Sequence, residues 1–112
     1  MHSLPLFHRL SGRPVIVVGE GEAAKAKRRL LERAGAVIVG ADDPAARLAF
    51  VALAEPEDMA AALKARGVLV NVVDRPDLCD FTTPSLLERG PVLIAVSTGG
   101  VSAGLAKALR LR

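Results

Sequence analysis

The segment PVIVVGEGEAAKAKRRLL, Pro14 to Leu31, restricts the fold more than any other stretch of the chain. An unbroken apolar run, Val15-Ile16-Val17-Val18, ends at Gly19 and Gly21 and passes directly into an Ala/Lys/Arg/Leu segment with helical spacing. A short apolar run bounded by glycines is the pattern of a strand buried on both faces, and apolar residues at three- and four-residue steps are the pattern of a helix packed on one. The expectation is strand, tight turn, helix. A first strand covered on both faces implies an α/β fold with a parallel sheet.

The small residues in this segment are spaced G-x-G-x-x-A, which adds chemistry to the topology. In a dinucleotide site Gly19 would permit the sharp turn, Gly21 would let backbone N–H groups approach a pyrophosphate, and Ala24 would let the helix lie close on the strand. The helix N-terminus supplies unpaired N–H donors and a partial positive charge. A strand-helix turn that binds nothing has the same outline, and Glu20 and Glu22 would repel a pyrophosphate unless they point outward.

Composition bounds the alternatives. The 112 residues suffice for one domain, and 51% are hydrophobic, mostly Ala, Val and Leu, which suits a covered sheet and not a disordered chain. Every apolar run is interrupted well short of the ~18 residues of a membrane span, and the N-terminus lacks the pattern of a signal peptide, so a cytoplasmic protein with no membrane partner is expected. The single cysteine, Cys79, cannot form an internal disulfide. The net charge is +3, with basic clusters at Lys25, Lys27, Arg28, Arg29 and Arg33 and at Lys107, Arg110 and Arg112. Without Trp or Tyr and with three Phe there is little to stack bases, which argues against a nucleic-acid partner and leaves an anionic small molecule. His2 and His8 have no further ligand at metal spacing, so no metal site is expected.

Further along the chain, residues 1 to 13 read as an ordered lead-in packed on the sheet edge. The first helix is expected from Gly21 to Ala34, with Ala23, Ala26, Leu30, Leu31 and Ala34 on its apolar stripe, and Gly35 stopping it. Ala36 to Ala41 reads as the second strand. Asp42 and Asp43 follow it, where an acidic side chain can accept the ribose 2′-OH and disfavour a 2′-phosphate, favouring NAD over NADP. An acidic turn or helix cap before Pro44 accounts for either residue equally well. Leu48 to Leu53 reads either as a third parallel strand or as a helix capped by Asp43. As a strand, its link to the second strand would be shorter than the ~10 to 12 residues of a usual crossover, and the residues alone leave both readings open. A helix over Met59 to Arg66 and a buried strand over Val68 to Val73 come next, delivering Asp74 to a carboxyl end, where open α/β sheets place their ligands. Ser85 to Arg89 suits a short helix, Val92 to Val96 a buried strand, and Ser102 to Arg112 a terminal helix.

Several strings together resemble one family. They are Leu4-Pro5-Leu6-Phe7, VVGEGEAAKAK from Val17, LLERAGA from Leu30, NVVDRPDLCDF from Asn71, and RGPVLIAVSTGGVSAGLAKALR from Arg89. They are similar to the N-terminal portion of siroheme synthases, the precorrin-2 dehydrogenase and sirohydrochlorin ferrochelatase family. The resemblance implies a shortened Rossmann-like NAD-binding domain over residues 1–74, then a small strand-exchanging dimerisation region over 75–112 that makes a homodimer. It also sets the LAFVAL segment on a family strand, which is why a strand is expected over Leu48 to Leu53. By the same resemblance Gly19, Gly21, Glu22 and Ala23 approach the NAD cofactor and Asp42 and Asp43 lie near its adenosine ribose. Asp74 serves as proton acceptor when NAD⁺ takes a hydride from precorrin-2, and could take pyrrole protons if Fe²⁺ enters the ring. Thr98, Gly99, Lys107 and Arg110 are the candidate tetrapyrrole contacts. The chain departs from its relatives in lacking some thirty residues between Val39 and Leu48 and in stopping before their helical C-terminal portion. Thr98 also replaces a serine, and Ala103 a proline. These departures leave a competing expectation, a non-catalytic dimer that holds NAD without enclosing a tetrapyrrole.

Overall fold

The computed structural model describes residues 1–97. One compact unit spans His8–Thr82, and among the described residues a second combines Met1–Phe7 with residues 83–97.

In the first unit four parallel strands form one sheet in the order β2-β1-β3-β4, with β1 Pro14–Gly19, β2 Val37–Val39, β3 Leu48–Ala52 and β4 Leu69–Val72. Helix α1, Glu22–Arg33, connects β1 to β2, and helix α2, Glu57–Ala65, connects β3 to β4. The two connections leave the central β1/β3 pair in opposite directions. Because parallel crossovers are right-handed, their helices must cover opposite faces. Side-chain alternation along β1 shows the result: Val15 and Val17 pack with Ala24 and Leu31 of α1, whereas Ile16 packs with Ala60 and Leu63 of α2. The predicted layered α/β sheet is what forms.

The segment Leu48–Ala52 is a strand, and the register explains how its short link suffices. Ile16 is paired with Val39 on one side and with Ala49 on the other, so β2 ends at nearly the height at which β3 begins. The link therefore need not retrace a strand length; it only crosses β1, about two strand spacings or ~10 Å. On the way it buries Ala46 in the α2-side core, with Ala41 packed against it. Arg66, just beyond α2, donates to the carbonyls of Ala41 and Asp43 and holds the crossing chain.

Edge strand β4 is covered by side chains. Asp80 N–H donates to the Val70 carbonyl (2.7 Å) while its Oδ2 accepts from Val70 N–H (2.9 Å). Cys79 Sγ accepts from Val72 N–H (3.1 Å), and Asn71 donates its amide to the Phe81 carbonyl (2.9 Å). Phe81 then meets Phe50 edge-on, centroids 5.4 Å apart. The chain after a 3₁₀ turn at Pro76–Leu78 thus stands in for a fifth strand and blunts an edge that would otherwise invite pairing.

Four local expectations need correction. Leu4, Leu6 and Phe7 are exposed, and only Leu10 of the lead-in packs on the α1-side core. The buried stripe of α1 is Ala24 and Leu31 with Lys27, Arg28 and Leu30 half-buried, while Ala23, Ala26 and Ala34 are exposed. Alanine is apolar enough to be read onto either face, and the packing selects the other one. Ser85–Arg89 is not a helix but strand β5, antiparallel to β6, Val92–Val96. Arg89 pairs with Val92 across the two-residue loop Gly90-Pro91, and since proline cannot take the positive φ that a type I′ turn requires, the loop is of type II′ with Gly90 at φ 56°. Finally, β6 is not the buried strand expected: among the described residues Val92, Leu93 and Ile94 are 53%, 46% and 44% exposed. The expected helix from Ser102 lies outside the described residues.

Candidate functional site

The carboxyl ends of β1 and β3 are neighbours, Gly19 standing opposite Ala52, and from this pair the chain departs to opposite sides of the sheet. This is a topological switch point, where open α/β sheets bind ligands. Gly19 adopts φ 118°, and a Cβ there would collide with the Ala52 carbonyl, so glycine alone allows the two strand ends to close up. Gly21, the residue before α1, has φ 92° and ψ −174°, again a backbone reserved for glycine, but nothing lies within 4 Å of where its Cβ would stand. The two glycines thus do different work, one for packing inside the protein and one leaving a backbone open to an approaching group.

The start of α1 fits an anion. Gly21 supplies no side-chain cap hydrogen bond to the first turn, so among the described residues no side chain caps the amides there. Glu22 meets the condition set for it: its side chain is 86% exposed and lies 3.7 Å from Lys25 Nζ, turned outward along the helix. Glu20 and Ala23 are exposed as well. Ala24, fully buried against β1, sets the close helix-strand approach expected of the third small residue.

Two residues not predicted for the site belong beside it. Arg28 reaches back from the second turn of α1, and its Nη2 donates to the Gly19 carbonyl at 3.0 Å. Its neighbour Lys27 holds Nζ 5.6 Å from the Phe50 ring centroid. Burial pushes the Lys27 ammonium below its ordinary pKa, with nearby Cys79 acting the other way. The periodicity that puts Ala24 and Leu31 inward places both positions on the same face, so a stripe counted from Ala24 would have found them.

The acidic candidates divide. Asp43 Oδ1 accepts from the N–H groups of Ala45 (2.8 Å) and Ala46 (3.2 Å), which makes it the turn residue at the start of the crossing link. Asp42 is exposed, in the Gly40–Asp43 turn that follows β2, with no side-chain partner among the described residues. Asp74 is exposed on the loop leaving the carboxyl end of β4, and at φ 61° it is the one non-glycine residue with positive φ among those described. Its neighbour Arg75 donates to Asp77 (3.1 and 3.0 Å) and to Glu57 at the start of α2. Those bonds hold the Glu57 and Asp77 carboxyls below their ordinary pKa and raise that of Arg75. Thr98, Gly99, Lys107 and Arg110 lie outside the described residues. No cluster of three metal-binding side chains occurs among the described residues, and no described helix is long and apolar enough to cross a membrane.

Known proteins match this architecture. A family model described as putative NAD(P)-binding matches residues 40–85. Siroheme synthases align over the whole chain: that of Azotobacter vinelandii is 40% identical over 144 residues, that of Ectopseudomonas mendocina 37% over 140, and that of Methylobacillus flagellatus 37% over 142. The chain spans only 30 to 31% of the length of these relatives. Alignments of 140 to 144 positions against 112 residues leave some thirty positions of each relative facing a gap, the size of the block expected to be missing. Among solved structures, SirC, precorrin-2 dehydrogenase, superposes with a TM-score of 0.72 at 23% identity, covering 97% of this chain and 68% of that one, and so shares its fold. From end to end the chain is thus similar to about a third of a siroheme synthase, and it shares the fold of a precorrin-2 dehydrogenase.

Proposed function

We propose that the chain binds NAD at the carboxyl ends of β1 and β3 and serves in the dehydrogenation of precorrin-2 to sirohydrochlorin during siroheme biosynthesis. The observation that carries this reading is the switch point itself: the Gly19/Ala52 closure followed by an open Gly21 and an uncapped helix start. The residues fit a dinucleotide. The amides of Gly21, Glu22 and Ala23 would receive the pyrophosphate, and Asp42 would accept from the adenosine ribose, while Asp43 shapes the turn beside it. When bound, NAD⁺ supplies the hydride acceptor. Asp74 holds its carboxylate at the neighbouring strand end and takes the proton that leaves the substrate. Its left-handed backbone, a conformation costing about 1–3 kcal/mol, is braced by the Arg75 pairings next to it. The same carboxylate would take pyrrole protons should Fe²⁺ enter the ring. Thr98, Gly99, Lys107 and Arg110 are assigned to the tetrapyrrole.

Residues 75–112 serve as the dimerisation region in this reading. A two-stranded hairpin is at best marginal alone, and the half-exposed Val92, Leu93 and Ile94 suit a second copy of the chain. The cytoplasm is the compartment that fits the lone thiol of Cys79.

A second reading has its own support. The β2-β3 crossing is direct, at the point where the chain is expected to lack a block of its relatives, and this favours a dimeric NAD-binding homologue without turnover. One assay separates the two: sirohydrochlorin absorbance followed after mixing protein, precorrin-2 and NAD⁺. Turnover that falls at least ~10²-fold in Asp74→Asn, with NAD affinity intact, supports the enzyme. NAD binding without turnover supports the module, and absence of calorimetric heat with NAD⁺ and NADH overturns both.

A further inference from the structure

We infer that Arg28 is a positioning residue that holds the shape of the glycine turn leading into the Gly21, Glu22 and Ala23 amides presented to the dinucleotide; this rests on the NAD reading above. A turn with glycines at φ 118° and 92° gains its shape at high entropic cost, because glycine has more backbone freedom to lose than any other residue. Something must select one conformation. At Gly19 the Ala52 carbonyl leaves no room for a side chain, and the Gly19/Ala52 pair is the last of the β1-β3 register. At that point Arg28 adds a side-chain restraint on the peptide leading into the turn, through the 3.0 Å bond from Nη2 to the Gly19 oxygen.

The consequence follows from peptide planarity. The Gly19 carbonyl and the Glu20 N–H belong to one trans peptide and point in opposite directions. Holding the oxygen toward Arg28 therefore turns the Glu20 N–H away from α1. The bond is charge-assisted and half-buried, which makes it stronger than a neutral one, and it is anchored on the helix whose N-terminus is meant to bind the same phosphates. Turn and helix start are thereby held as one preorganised surface, and a ligand need not order the turn on arrival. Arg28 contributes through the backbone and not by touching the nucleotide.

Replacing Arg28 by Met keeps the aliphatic stem and removes the donor; Lys restores a donor. Order parameters from ¹⁵N relaxation at Glu20 and Gly21 report the turn, and calorimetry with NAD⁺, ADP and AMP reports binding. The expected result is lower order parameters in Arg28→Met, with an unchanged melting temperature within ~2 °C. NAD⁺ and ADP affinity should fall about tenfold, while AMP binding, which lacks the diphosphate, changes less than twofold. Arg28→Lys should recover part of both. Unchanged order parameters in Arg28→Met overturn the inference, as does wild-type NAD⁺ affinity in that variant. Loss of AMP binding in parallel would also overturn it by showing general damage. If the wild-type chain binds no nicotinamide nucleotide, the NAD reading fails, while the relaxation arm still decides whether Arg28 restrains the turn.

Discussion

Strand β4 and the β5-β6 hairpin are built from the same kind of residue and end in opposite conditions. Val70 and Val72 are sealed between the sheet and α2, and even the exposed edge of β4 is covered by Asp80 and Cys79. In the hairpin, Val92, Leu93 and Ile94 are each about half exposed. A run of branched apolar residues therefore specifies an extended backbone, but burial depends on layers that the surrounding chain provides. Where helices flank the strand, they provide the layers; among the described residues the hairpin has one partner strand and no helix over it.

The comparison can be broken first at its best-packed point. Gly19→Ala forces a Cβ into the Ala52 carbonyl at a φ of 118°, and should cost at least ~3 kcal/mol, enough to unfold much of the sample in urea titration. Gly21→Ala, with the same backbone problem and free space, should cost only about 1–3 kcal/mol while weakening nucleotide binding. Next in size is Leu63→Ala under the sheet, about 2–5 kcal/mol, against Leu93→Ala in the hairpin. The hairpin variant should change the stability of the His8–Thr82 unit by less than ~0.5 kcal/mol and shift light scattering toward monomer. Equal costs for the two leucines at a concentration where the protein is monomeric would erase the contrast.

Smaller again is Asp80→Ala, which strips the acceptor from Val70 N–H on the β4 edge and should cost about 1–2 kcal/mol by denaturant titration. Acid should have the least effect. The Arg75 bonds lower the folded-state pKa of Glu57 and Asp77 from ordinary values of 4.5 and 3.8. Their contribution is thus complete above those values and is lost as pH falls through the lowered ones. The expected outcome is a slightly steeper loss of stability below about pH 4 in the wild type than in Arg75→Met, because these side chains are exposed and solvent screens them.

Much of the candidate site was legible because its parts are local. Gly19, Gly21 and Ala24 lie within six residues, and one turn of chain is enough to convert their spacing into a strand end, an open backbone and a close helix. Arg28 was not legible, since its role depends on which alanines of α1 face inward, and an Ala-rich helix offers two nearly equivalent stripes. Asp43 was ambiguous for a related reason. A carboxylate after a strand can serve a ribose or its own turn, and its hydrogen bonds to Ala45 and Ala46 exist only once the link folds across β1.

Taken alone, the order of residues determined the α/β class, the elements of the His8–Thr82 unit other than β3, the glycine turn and the family likeness, and that likeness in turn decided for a strand at β3. These follow from periodicity and from backbone conformations that only glycine tolerates, both properties of short stretches. The tertiary structure decided the rest: that β3 pairs with β1 so that an eight-residue link suffices, that Ser85–Arg89 is a strand, and that Asp80 and Cys79 replace a missing neighbour of β4. Each of these depends on register, and register is set by partners distant in the chain, whose mutual burial no local pattern encodes.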